Sequence, residues 1–283
     1  MAQHISLPLQ YCMIYYKTNE EVELLRKSNL LVSNCLAEMA KALKPGITPK
    51  QLDTLAYNFF GDHGGIPAFL NYPGQHGPFP ATVCISLNNA VVHGIPTDEP
   101  IKEGDVVSLD TGVKLNGFVG DSAYTFAVGD VSEDIQRLMR VTKQSLFAAI
   151  KQAVVGNRIG DIGFAVQDVC ATKNKLGIVR DLCGHGLGRS LHEEPEVPNT
   201  GRRGNGLKLL DGLVIAIEPM INLGKADVVL ADDDWTIITK DGSMSAHYEH
   251  SICVRKGSAD ILGDFTPIEA AEVANANLMS GFY

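Results

Sequence analysis

Residues 107–126 read VSLDTGVKLNGFVGDSAYTF. Asn116-Gly117 is a two-residue type I′ turn signal flanked by apolar and small residues, so the stretch predicts a tight β-hairpin. With the turn there, Leu115 pairs with Phe118, Gly112 with Asp121, Thr111 with Ser122 and Asp110 with Ala123. Side chains 110, 112, 121 and 123 then share one face. Asp110 and Asp121 become diagonal neighbours, their α-carbons roughly 7–8 Å apart. Two half-buried carboxylates that close repel, so one keeps its proton or cations sit between them. Two ordinary exposed strand aspartates are the alternative, and the hairpin by itself leaves both open.

Upstream, Thr18 and Glu21 have capping-box spacing. Val22, Leu25, Val32, Leu36, Met39 and Leu43 recur at helical intervals until Lys44-Pro45-Gly46 stops the run. Thr48-Pro49 starts a second helix, expected to turn Leu52, Leu55, Ala56 and Phe59 inward and to fray at GDHGG. A Gly/Pro/aromatic loop over 65–80 precedes strands at about 82–87 and 91–94. Downstream, Ser132 caps a long helix to about 154, and a single further helix is expected over 157–177. Short strands and Gly-rich turns then run to about 257, with mild helical character after that. Strands grouped apart from helices favour an α+β fold over a wound parallel sheet. The order helix–helix–strands occurs twice, which suggests two similar halves.

Four other segments carry charged or imidazole groups where burial is expected. In GLVIAIEPMIN, Glu218 ends a run of five apolar residues, an expensive place for an unpaired carboxylate. In SAHYEHSICV, Glu249 precedes an apolar strand, with His247 on its face and His250 turned away in a structural role. In CGHGLGRSLHEEP, His185 sits between glycines that permit close backbone approach, and His192 follows. His93 ends a strand in NNAVVHGIP. Singly, each histidine is as readily structural. Together, two Asp, two Glu and a His form a hard-to-borderline ligand set. Four carboxylates balance two divalent cations, between which a water would ionise near neutral pH.

The composition is ordinary for a globular chain, with 45% hydrophobic and 20% charged residues among 283. A net charge of −9 without a basic stretch argues against a nucleic-acid binder. No apolar run approaches the roughly 18 residues of a membrane span, and MAQHISLPLQ is not expected to act as a secretory signal. Six scattered cysteines without a CxxC read as free thiols of a reducing, cytoplasmic compartment. There is no G-x-S-x-G elbow, Walker A loop or H-E-x-x-H, so serine-hydrolase, P-loop and zincin chemistries find no motif.

Jointly, VVHGIP, SLDTG, GDSAYTF, GHGLGRSLHEEP, AIEPMIN and DDWTIITKDGSMSAHYEH resemble the type I methionine aminopeptidases, over about residues 13–265. The resemblance implies a pita-bread (creatinase/aminopeptidase) fold: one catalytic domain over 13–283, with a loose lead-in at 1–12. Its pseudo-symmetric halves, about 13–130 and 131–265, would enclose a dinuclear site with helices outside. It further implies Asp110, Asp121, His185, Glu218 and Glu249 as metal ligands, with Asp121 and Glu249 bridging. Glu218 would also move a proton, His93 would contact the scissile amide nitrogen and His192 the carbonyl side. Phe69, Tyr72, Phe79, Cys84, Leu191 and Trp235 would line an apolar pocket for methionine. The 71–80 loop is longer than usual for the family, and Leu191 stands where an aromatic is common. The implied cofactors are two divalent ions (Co, Mn or Fe). The implied substrates are N-terminal methionines of peptides and nascent chains with a small second residue, met near the ribosome by a cytoplasmic monomer.

A prolidase or proline aminopeptidase would use the same ligand types, but usually carries an additional N-terminal domain. A non-catalytic module of the same fold would typically have lost ligands. The type II enzymes carry an insertion for which the 25 residues between His192 and Glu218 leave little room.

Overall fold

The Asn-Gly turn forms as the hairpin pattern requires. Asn116 and Gly117 take positive φ of 51° and 84°, the backbone of a type I′ turn. The computed structural model describes residues 13–75 and 77–281; the expected lead-in at 1–12 lies outside them. The hairpin strands, Val106–Leu115 and Phe118–Ala127, pair in the predicted register, with Gly112 opposite Asp121 and Asp110 opposite Ala123. Val83–Leu87 and Ile66–Pro67 pair with the other edge of Val106–Leu115, completing an antiparallel sheet of four strands.

The described residues form five α-helices around the sheets: α1 Asn19–Ala42, α2 Pro49–Asp62, α3 Glu133–Ile150, α4 Ile159–Gln167 and α5 Thr266–Ala274. Thr18 and Glu21 close a capping box on α1, and Thr48 and Gln51 close one on α2. The α1 stripe Val22, Leu25, Val32, Leu36 and Met39 is at most 1% exposed, each side chain contributing roughly 1.5–3 kcal/mol. It packs across the hairpin, and at Gly120 the two backbones approach closely. A Cβ there would lie 2.4 Å from the Asn29 nitrogen and the Ser28 carbonyl carbon.

Some local expectations shift. On α2 the fully buried aromatic is Phe60, whereas Leu55 and Phe59 are partly exposed. The α3 helix ends at Ile150, and the single helix expected over 157–177 is α4 followed by a π-helical turn, Asp168–Lys173. The wider turn rotates the later residues relative to α4, which a 3.6-residue pattern cannot register.

The second group of strands builds a five-stranded antiparallel sheet, in the order Glu193–Val197, Gly184–Gly186, Val214–Ile217, His250–Cys253 and Asp260–Ile261. Two three-stranded sheets complete this part of the fold. One joins Ser245–His247, Met220–Asn222 and Gly177–Ile178; the other joins Val228–Leu230, Ile237–Thr239 and Ala90–Val92. Antiparallel sheets with helices outside them are the expected α+β architecture. Among the described residues no helix is long and apolar enough to cross a membrane.

Candidate metal centre

The hairpin carboxylates meet the second strand group along a seam of hydrogen bonds. The Glu249 N–H donates to the Ala123 carbonyl (2.9 Å), Ser122 Oγ to the Glu249 carbonyl (2.8 Å), and Ser251 Oγ to the Asp121 carbonyl (3.0 Å). From the helix side, Asn29 Oδ1 accepts from the Asp121 N–H (3.2 Å). Glu218 follows the apolar strand Val214–Ile217, and its carbonyl accepts from Asn199 Nδ2 (2.9 Å). The backbone is thus committed around Asp121, Glu218 and Glu249 before any ligand is considered.

The site side chains converge on one cavity of about 510 Å³. It is lined by all five predicted ligands, Asp110, Asp121, His185, Glu218 and Glu249, together with His93 and His192. Its apolar part contains Phe69, Tyr72, Phe79, Cys84, Leu191 and Trp235, the six side chains expected to form the pocket. Phe79 packs edge-on against Trp235 at 5.1 Å. Cys84 lies opposite Asp110 in the sheet register, so the apolar pocket adjoins the carboxylates directly.

Asp121 and Glu249 are 3% and 2% exposed, and single ligand atoms of Asp121, His185 and Glu249 lie within 4.8 Å of one another. His185 Nε2 is 3.5 Å from Glu218 Oε1 and 3.7 Å from Asp121 Oδ2. Its Nδ1 contacts the Gly186 carbonyl at 2.9 Å. A carbonyl only accepts, so Nδ1 carries the proton and Nε2 turns a lone pair towards two carboxylates. Lone pair against carboxylate is repulsive unless something cationic lies between them. Asp110 Oδ1, Asp121 Oδ1 and Glu249 Oε1 are buried without a hydrogen-bond partner. Orphaned oxygens grouped around a bare imidazole lone pair fit divalent cations, and this donor set fits a hard or borderline ion.

Burial drives the electrostatics. It raises Asp110 to about 7 and Glu218 to about 8, and lifts Asp121 and Glu249 well above the ordinary carboxylate range. Mutual repulsion adds to burial at Asp121 and Glu249. Burial lowers His185 to about 3 and His93 to about 4, with neighbouring imidazoles adding to both. His192 is also lowered by burial, and its Nδ1 is 2.5 Å from the Tyr72 hydroxyl.

His93 takes a positive φ of 58° at the mouth of the cavity, 6.4 Å from the Trp235 ring. His250 turns away and stacks on Phe265 at 3.7 Å, as a structural residue should. His247, expected on the face of Glu249, is 1% exposed, and its Nε2 lies 3.6 Å from Glu218 Oε2, a contact the sequence does not name. Its spacing two residues before a buried glutamate placed it near the site, but not beside Glu218.

The described cysteines are free; Cys35, Cys84, Cys170 and Cys253 are buried and Cys183 is partly so. Cys12 lies outside the described residues.

Comparison with known proteins agrees with this geometry. Residues 23–256 match the model of metallopeptidase family M24. A methionine aminopeptidase of Clostridium perfringens is 45% identical over 250 residues, covering 88% of this chain and 98% of that protein. The crystal structure of methionine aminopeptidase from Rickettsia prowazekii superposes with a TM-score of 0.85 at 40% identity, over 88% of this chain and 99% of that one. An Xaa-Pro dipeptidase from Bacillus anthracis, 18% identical with a TM-score of 0.70 over 87% of this chain and 61% of its own, shares the fold alone. With its antiparallel sheets enclosing a carboxylate–imidazole centre, this chain belongs to metallopeptidase family M24, among the methionine aminopeptidases.

Proposed function

We propose that this chain removes the N-terminal methionine from peptides and newly made proteins whose second residue is small. The observation that carries the reading is the junction inside one cavity. An apolar pocket suited to a thioether abuts four carboxylates and an imidazole lone pair that lack counter-charges. Asp110, Asp121, His185, Glu218 and Glu249 would hold two divalent ions. Bound there, the ions supply Lewis acidity, a lowered water pKa and an anchor for the free α-amine.

The remaining work falls to the chain's own side chains. Phe69, Tyr72, Phe79, Cys84, Leu191 and Trp235 bind the methionine side chain and exclude water from it. Glu218 takes a proton from the attacking water and passes it towards the leaving nitrogen. His93 faces the scissile amide nitrogen. Tyr72 donating to His192 Nδ1 leaves the proton of that ring on Nε2, free to donate to the developing oxyanion.

A donor set rich in oxygen with one ligating imidazole suits Mn, Fe or Co. The buried free thiols suit a reducing, cytoplasmic setting, and we read the working form as a monomer meeting nascent chains near the ribosome. The two runs of helix–helix–strands support an internal pseudo-symmetry dividing near residue 130. The short interval between His192 and Glu218 supports type I.

The test is release of methionine from Met-Ala-Ser by purified protein before and after exhaustive chelation. Activity should vanish on chelation and return with Mn, Fe or Co. Activity that survives chelation would sink the metal reading. Preferential cleavage of X-Pro peptides would place the chain with the prolidases instead.

A further inference from the structure

We propose that His247 is a positioning residue for Glu218, its Nε2–H donating to Glu218 Oε2 so that Oε1 faces the ion shared with His185. This deepens the peptidase reading and rests on it.

The ring has little freedom. The strand Ser245–His247 pairs His247 with Met220, two residues beyond Glu218. The His247 N–H donates to Thr125 Oγ1 (2.9 Å), the same hydroxyl donates back to the His247 carbonyl (2.7 Å), and Ser108 Oγ lies 2.8 Å from it. With its backbone clamped, the imidazole is 1% exposed and neither ring nitrogen has a hydrogen-bond partner. An orphaned buried polar group is costly enough to call for an explanation.

The Glu218 carboxylate lies between two imidazoles, one at each oxygen. His185 Nε2 is 3.5 Å from Oε1, and His247 Nε2 is 3.6 Å from Oε2. The two rings differ in one respect. The Gly186 carbonyl fixes the proton of His185 on Nδ1, so His185 presents a lone pair and suits an ion. No carbonyl engages His247 Nδ1, so Nε2 is free to carry the proton, and among the described residues the carboxylate oxygen within 4.0 Å of it is Glu218 Oε2, with the Asp110 charge further off. A shift of a few tenths of an ångström closes the hydrogen bond. A carboxylate ligand so held keeps one rotamer and one oxygen for the ion, the role outer hydrogen bonds play at metal centres.

The experiment compares wild type, His247→Gln and His247→Leu. Metal-depleted proteins are titrated with Mn(II) by calorimetry, and X-ray absorption counts imidazole ligands on the loaded wild type and His247→Gln. Glutamine keeps an N–H donor, so both binding steps should stay within about threefold of wild type, whereas leucine should weaken one step about 10–100-fold. Turnover on Met-Ala-Ser should fall in His247→Leu with KM unchanged, because the methionine pocket is untouched. Absorption should report one imidazole for two ions in both proteins. Unaltered affinities in His247→Leu overturn the inference, as does a second ligating imidazole in wild type that is lost in His247→Gln. If His247→Leu fails to fold, the glutamine variant and the ligand count decide. A wild type that binds no ion sinks the peptidase reading as well; two ions beside an unaffected His247→Leu sink this inference alone.

Discussion

Asp110 and Asp121 lie diagonally across one hairpin, but their surroundings differ. Asp121 is 3% exposed, its N–H is held by Asn29, and it lies in the tight group with His185 and Glu249. Asp110 is partly open to the cavity and neighbours the Cys84 side of the pocket. An asparagine keeps an oxygen but removes a charge, and at Asp121 that charge would be lost to both ions. Metal analysis should therefore find Asp121→Asn depleted of both ions, while Asp110→Asn keeps about one per chain. Equal losses would remove Asp121 from the bridging role. Both aspartates could be placed from sequence because turn type and strand period are local rules, and the register follows from two residues, Asn116 and Gly117. The nearness of His247 to Glu218 is not local. It depends on a strand at 245–247 pairing with one at 220–222, and neither segment names its partner.

At the scale of elements, the hairpin is held against α1 by an absence of side chain. A Cβ on Gly120 would meet the backbone of Ser28 and Asn29 at 2.4 Å, and backbone cannot rotate aside as a flexible side chain can. Gly120→Ala should push α1 away from the strand and cost about 1–3 kcal/mol. Thermal unfolding would read that loss. It should come with weaker metal binding, since the next residue is Asp121 and the Asn29 contact moves with the helix. An unchanged melting temperature would mean that the two elements can separate freely. Helix boundaries read well where a cap announced them, as at Thr18, Thr48 and Ser132. The π-turn at Asp168–Lys173 and the burial of Phe60 in place of Phe59 read poorly, because tertiary packing sets the helix phase there.

For the whole molecule, the centre sets how stability depends on pH. Asp110 and Glu218 are raised to about 7 and about 8, so the metal-free folded chain holds protons that the unfolded chain releases near its ordinary carboxylate values. Wherever the folded state binds more protons, stability falls as pH rises. These carboxylates thus stabilise the metal-free protein fully only below about pH 4, and the contribution is gone above about pH 8. The lowered histidines act oppositely, losing their contribution as pH falls below about 6.5. Between about pH 6.5 and 8 the carboxylates alone titrate, so the metal-free protein should lose stability there and the Mn-loaded protein should not. Denaturant unfolding at several pH values would check this; parallel curves for the two forms would contradict it.

The seam between Asp121, Ala123, Glu249 and Ser251 also bears on how the protein is made. Its two sides are far apart along the chain, so neither can assemble until the segment carrying Glu249, between two strands, has been synthesised. Long-range pairing of this kind is slow to form. A growing chain that has passed the hairpin carries two acids with no partner across the seam until Glu249 and Ser251 have been made. The chain must therefore be synthesised past that point before it can trim the first residue of any other.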